Sequence, residues 1–242
     1  MLQQPDVSLA PGATVSDQDI AEHFCLDVAT SPLPSTWQVC RSAGQICLRA
    51  PAEQGGYELV LSCAQGPMAR RLQTAKRTDP LPRALGMHRR RVERVVDATA
   101  GLGRDAMVLS RLGCSVTAIE RVPALCFLME VCAREADAEL QVIRADAAAW
   151  LREHARDEEQ PDVVYLDPMF AEAGKAQVKK EMQACRALAG PPTDTDELLR
   201  VAREAARDRV VVKRHPHHAP LTDDVSFEVK SGRIRFDVYL CS

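Results

Sequence analysis

The sequence is short of aromatic residues, which make up 4% of it. It also lacks any apolar run near the ~20 residues that a membrane helix needs. Hydrophobic residues still reach 46%, so the apolar content is mostly aliphatic and comes in short pieces suited to a globular core. The opening MLQQPDVSLAPG has no basic start followed by an apolar core, so a secretory leader is not expected and a cytoplasmic location is. No CxxC pair occurs among nine cysteines. An odd count without paired spacing argues against a disulfide framework and against a zinc ribbon, and predicts reduced, mostly buried thiols. No internal repeat is visible. A length of 242 residues fits one large domain, alone or with a small appendage.

Charge is unevenly spread. The net charge is −3, yet residues 69–94, ARRLQTAKRTDPLPRALGMHRRRVER, hold nine Lys or Arg against only Asp79 and Glu93. A basic segment on an otherwise acidic chain is what local phosphate binding requires. A solvated basic linker is the plainer alternative.

The chain divides by rhythm. Residues 1–30 are polar and are expected to be partly loose. Residues 36–63 contain TWQVCR, QICLRA and YELVLSC, separated by Gly44 and Gly55–Gly56, which predicts a small β-rich N-terminal subdomain over 1–68. A basic connector over 69–93 follows, broken by Pro80 and Pro82. From residue 94 to residue 242 the pattern changes. RVVDAT, SVTAIE, LQVIRA, DVVYLD and RVVVKR have strand character, with helical stretches predicted at 104–112, 123–135, 147–155, 174–188 and 194–207. Short β-branched runs alternating with helices predict a buried parallel sheet of βαβ units. VSFEVKSGRIRFDVYL then reads as a β-hairpin around Ser231–Gly232. The expected class is α/β, a Rossmann-like sheet ended by a hairpin, where a plain dinucleotide domain would end in another βαβ unit.

Two motifs carry the chemistry. The first is DATAGLGRD at 97–105, where Gly101 and Gly103 permit a sharp turn and close approach of a cofactor to the backbone. Asp97 is placed to face the same pocket, and Glu120 ends the next strand, where an acid accepts hydrogen bonds from ribose hydroxyls. GLGRDA also satisfies the G-x-G-x-x-A dinucleotide pattern, so a nicotinamide cofactor stays open at this point. Asp105 counts against it, because its charge lies in the first helical turn, where a pyrophosphate would sit. The second motif is VVYLDPMF at 163–170. Asp167 follows a strand and belongs in the cleft beyond the carboxyl ends of the sheet. DPMF resembles the D/N-P-P-Y/F signature of methyltransferases acting on exocyclic amines, with Met169 in place of the second proline. An amine delocalised into a ring is a poor nucleophile. The Asp167 carboxylate and Pro168 carbonyl can accept its two N–H bonds, orient it and stabilise developing positive charge. Phe170 would stack on the base.

Taken together, VVDATAGLGRDA, LGCSVTAIER, VVYLDPMF, VKKEM, VVVKR and RFDVY resemble the bacterial 16S ribosomal RNA guanine-N2 methyltransferase J family over residues 56–242. The resemblance implies a class I fold that uses S-adenosylmethionine (SAM). It implies SAM contacts at Arg104–Asp105, Glu120–Arg121, Asp146–Ala147 and Asp167, and methyl transfer to a guanine N2 amine in 16S rRNA, with the small ribosomal subunit as the expected particle. Other amine methyltransferases, acting on DNA adenine or a protein amide, and an NAD-dependent oxidoreductase are the competing readings. RNA contacts are expected from Arg70, Arg71, Arg89 and Arg90, and from Lys179, Lys180, Lys213 and Arg214. HPHHAP after Arg214 is expected to be a polar loop facing RNA. A metal at His215, His217 and His218 would need a fourth ligand, and no metal or membrane partner is expected.

Overall fold

The computed structural model describes residues 6–154, 160–168, 180–189, 194–232 and 234–241. The N-terminal sheet is built from β1 (Val7–Leu9), β2 (Trp37–Ser42), β3 (Gln45–Arg49) and β4 (Glu58–Val60), in that order, with helix α1 (Val15–His23) between the first two. Regular structure thus reaches into the stretch expected to be partly loose, at Val7–Leu9 and Val15–His23. The Asp17 amide donates to Thr14 Oγ1 at 3.1 Å and the Thr14 amide to Asp17 Oδ2 at 3.3 Å, a capping box that starts α1. Arg41 then clamps both Asp17 oxygens at 2.8 Å, which satisfies a carboxylate only 1% exposed.

The basic connector folds into two helices, α2 (Gly66–Thr74) and α3 (Pro80–Ala84). Pro80 and Pro82 do not break the second helix. Both lie in its first turn, where backbone donors have no helical acceptor to lose.

The C-terminal part alternates strand and helix: β5 (Arg94–Asp97), α4 (Arg104–Arg111), β6 (Ser115–Glu120), α5 (Pro123–Glu135), β7 (Leu140–Arg144), α6 (Ala147–His154), β8 (Val163–Leu166), α7 (Lys180–Ala189), α8 (Thr195–Ala205), β9 (Arg209–Arg214), β10 (Phe227–Ser231) and β11 (Ile234–Leu240). The seven-stranded sheet has the order β10-β11-β9-β8-β5-β6-β7. Strands β5 to β9 are parallel, and the hairpin inserts β11 antiparallel to β9. This is the hairpin-ended sheet expected from the sequence. The start of the helix expected at 174–188 lies outside the described residues.

Strand order reverses at β5, with β6 on one side and β8 on the other, which opens a crevice at the carboxyl ends of these strands. Helix α5 is apolar nearly all round, with Ala124–Met129 and Val131–Ala133 buried. It has two partners. Leu125, Phe127, Leu128 and Val131 share a cluster with Leu9, Phe24, Trp37 and Ile46 of the N-terminal part, and Met129 packs with Val95, Val116 and Tyr165 of the large sheet. A helix sandwiched this way needs no polar face.

Candidate active site at the strand ends

The turn after β5 is shaped by two glycines with different constraints. Gly103 has φ +70, and a Cβ there would lie 2.6 Å from Met129 Cγ and Sδ, so it is the contact residue between the turn and α5. Gly101 has φ +55, and a Cβ there would meet nothing within 4 Å. Space is open over Gly101, as a cofactor approaching the backbone requires.

Glu120 fastens this turn to β6. Its Oε2 accepts from the Gly101 amide at 3.1 Å, and its Oε1 accepts from the Arg121 and Val122 amides at 2.8 and 2.9 Å. Burial pushes its carboxyl upward and these amides pull it back. Oε2 keeps a lone pair for a ribose hydroxyl. Asp97 is 2% exposed and accepts from the Thr99 amide at 3.2 Å. Burial, reinforced by the Asp105 carboxylate, pushes it well above the usual carboxylate range.

The two motifs meet through Thr99, whose Oγ1 is 2.5 Å from the Asp167 amide. Asp105, from the first turn of α4, lies under the same crevice. The Tyr165 hydroxyl donates to its Oδ2 at 2.7 Å, Lys213 Nζ at 3.1 Å, and Arg71 pairs with its Oδ1. Burial raises the Asp105 carboxyl, but Lys213 and Arg71 outweigh it and hold the group at about 2. Lys213 Nζ also reaches Asp167 Oδ2 at 2.7 Å. An anionic Asp105 in the turn that would face a pyrophosphate fits a cationic, phosphate-free cofactor and opposes a dinucleotide.

Other residues expected from the sequence fall as follows. Asp146 is exposed and accepts from the Ala149 amide at 2.9 Å, capping α6, with Ala147 its first residue. Arg121 donates to the Ala189 carbonyl of α7 at 2.6 Å, and Arg104 is half-buried in the first turn of α4. Pro168 is half-buried, while Phe170 and Lys179 lie outside the described residues. Arg70 and Arg89 are exposed, and Arg90 pairs with Asp208 at 2.5 Å. Lys180 lies 4.8 Å over the Tyr57 ring. Three of the expected RNA contacts are engaged within the chain instead. Arg214 is 8% exposed, and its guanidinium donates to the Ala219 carbonyl, so it presents no charge to an RNA. Lys213 and Arg71 point into the crevice, each on a carboxylate. Thr99 and Tyr165 were not singled out by sequence. A tyrosine inside the apolar run VVYL was the available signal, because a buried phenol needs a partner.

The model of the SAM-dependent methyltransferase family matches residues 30–241. Ribosomal RNA small subunit methyltransferase J of Laribacter hongkongensis is 39% identical, over 99% of this chain and 86% of that one. The protein of the same name from Thioalkalivibrio sulfidiphilus is 43% identical over 71% of each chain. A SAM-dependent methyltransferase from Neisseria gonorrhoeae has a solved structure that superposes with a TM-score of 0.74 at 27% identity, covering 97% of this chain and 95% of that one. With a hairpin-ended sheet, an open glycine turn and an acid-proline tip tied to it, the chain belongs to the ribosomal RNA small subunit methyltransferase J family of SAM-dependent methyltransferases.

Proposed function

We propose that this chain transfers the methyl group of SAM to the exocyclic N2 amine of a guanine in 16S ribosomal RNA. The observation that carries the reading is the 2.5 Å contact between the Asp167 amide and Thr99 Oγ1, which fixes an amine-accepting tip beside the glycine turn.

Asp97, Gly101, Gly103, Arg104, Asp105, Glu120, Arg121, Asp146, Ala147 and Asp167 form the cofactor side. Gly101 leaves room at the backbone, and Glu120 Oε2 offers an acceptor to the ribose. Asp146 stands at the end of β7, where an adenine would reach, and its capping bond leaves it a free oxygen. SAM held there would supply a sulfonium methyl for transfer to N2, the sulfur keeping the electron pair of the broken carbon–sulfur bond and one amine proton leaving to solvent. On the acceptor side, the Asp167 carboxylate and the Pro168 carbonyl take the two N–H bonds, so the nitrogen lone pair faces the methyl. Negative charge on Asp167 stabilises the positive charge that develops on the amine. Phe170 would stack on the flipped base, worth ~1–3 kcal/mol.

The base must be unpaired or flipped to enter, so the small subunit is the proposed substrate particle rather than short free RNA. Arg70, Arg89, Arg90, Lys179 and Lys180 form the proposed RNA-facing set. The reading keeps the division into a β-rich unit over 1–68, a basic connector over 69–93 and a methyltransferase unit over 94–242. The absence of any strand pairing between the two sheets, among the described residues, supports it. No described helix is long and apolar enough to cross a membrane, and we place the enzyme in the cytoplasm, acting without a metal.

The test is transfer of tritium from labelled SAM to small subunits lacking the modification, followed by mapping of the methylated nucleoside. Asp167→Ala should abolish transfer while leaving RNA affinity nearly unchanged, because phosphates supply most of that binding. Wild-type transfer by Asp167→Ala, or a labelled nucleoside other than N2-methylguanosine, would refute the reading.

A further inference from the structure

Lys213 has no part in the function proposed above, and its surroundings assign it one. It is at the carboxyl end of β9, which runs parallel to β8 with Leu166 opposite Val212. That register sets Lys213 level with Asp167. Its neighbours Val212 and Arg214 are on the opposite face of the strand and are buried. The ammonium is 2.7 Å from Asp167 Oδ2 and 3.1 Å from Asp105 Oδ2, with the lysine side chain 25% exposed. Asp105 is held in turn by the Tyr165 hydroxyl and by Arg71.

We propose that Lys213 is a positioning residue for methyl transfer, holding Asp167 by Oδ2 so that Oδ1 is presented to the acceptor amine. The proposal rests on the reading of Asp167 as the amine acceptor. Among the described residues nothing donates to Oδ1, so it is the oxygen left for an incoming N–H.

The charges around Asp167 explain why a lysine is needed. The groups facing it are Asp97 from β5, Asp105 from α4, Tyr165 from β8, Arg71 from α2 and Lys213 from β9. Three carboxyl groups thus share two cations. Burial pushes Asp167 upward, and Lys213 is the strongest influence holding it down. Remove the lysine and Asp167 takes a proton at higher pH. A protonated carboxyl offers a donor where the amine needs an acceptor. The same geometry argues against the phosphate contact suggested by the sequence, since a phosphate would have to displace two carboxylates from one ammonium.

The experiment compares Lys213→Met and Lys213→Arg with wild type. Single-turnover transfer to unmodified small subunits is followed from about pH 5 to about pH 9. Lys213→Met should lower the maximal rate at least ~10-fold and move the acid limb upward by about one pH unit, while SAM and RNA affinities stay within about twofold. Lys213→Arg keeps the charge and should leave the acid limb in place. In the SAM-free protein, carbon-13 titration of the Asp167 carboxyl should rise in Lys213→Met. That measurement needs no substrate, so it decides the Lys213–Asp167 pairing even if wild type fails to methylate guanine, a failure that would sink only the acceptor reading. An unmoved carboxyl titration, or an unmoved acid limb in an active Lys213→Met enzyme, overturns the proposal. So does a loss of RNA affinity with a salt slope smaller by about one, the signature of a lost phosphate contact.

Discussion

Replacing Gly101 and Gly103, one at a time, by alanine separates the two jobs of the cofactor turn. Both residues have positive φ, so each alanine incurs the left-handed penalty of about 1–2 kcal/mol. Beyond that they diverge. At residue 103 the new methyl would lie 2.6 Å from Cγ and Sδ of Met129, which is fully buried. Forcing a methyl into a closed core costs about 1–3 kcal/mol more. The total for Gly103→Ala is then roughly 2–5 kcal/mol, and at ~2–4 °C per kcal/mol for a chain of this size the melting temperature should fall by roughly 4–20 °C. At residue 101 the added methyl meets no described atom within 4 Å, so Gly101→Ala carries only the backbone cost, roughly 2–8 °C. Its methyl instead enters the space assigned to the cofactor and should weaken SAM by at least ~10-fold, about 1.4 kcal/mol. Differential scanning calorimetry reads the first effect and titration calorimetry with SAM the second. Gly101→Ala with unchanged SAM affinity, or melting as low as Gly103→Ala, would refute the assignment of open space over Gly101 to the cofactor.

Glu120→Ala removes the acceptor of three backbone amides and should weaken SAM by about 1–3 kcal/mol in titration calorimetry, with NAD showing no binding. Asp97 has a folded-state carboxyl raised above the ordinary 3.8, so its contribution is fully present below that value and is lost as pH rises toward the folded value. Asp97→Asn should therefore gain stability relative to wild type by about 1.4 kcal/mol per pH unit across that window, read by urea unfolding at several pH values. A difference that stays constant with pH would contradict the burial argument. Reversing Arg70 and Arg89 to Glu should weaken RNA binding and flatten its salt dependence while SAM affinity is unchanged; filter binding at several salt concentrations checks this.

The parallel strands were legible because VVD, SVTAIE, VVYL and RVVVKR are short runs built around β-branched residues, the mark of strands in a mostly buried parallel sheet. Glu120 and Asp167 were legible for a topological reason, as acids that end such strands. The sequence reading missed α1 because few large apolar residues precede Trp37. Its signal was Thr14 and Asp17 at capping-box spacing, a local hydrogen-bond pattern rather than a hydrophobic one. Pro80 was read as a breaker because its effect depends on whether it starts a helix or interrupts one. The pairing of Lys213 was not legible for a different reason. A basic pair in sequence looks like one patch, but strand alternation sends its two members to opposite faces, and only the register of β8 and β9 reveals the carboxylate opposite.

The shared packing of α5 has a consequence for synthesis in time. Trp37 and Phe127 belong to one hydrophobic cluster but are separated by most of a hundred residues of chain. At about 5–20 residues per second, α5 emerges roughly 5–20 s after the N-terminal strands whose hydrophobic cluster it joins. During that interval β1 to β3 can pair and α1 can pack with them, but the cluster lacks its α5 members, and a stall before α5 would leave that gap exposed to chaperones or to other nascent chains. The N-terminal part is made first, but its core is completed only when the methyltransferase part arrives.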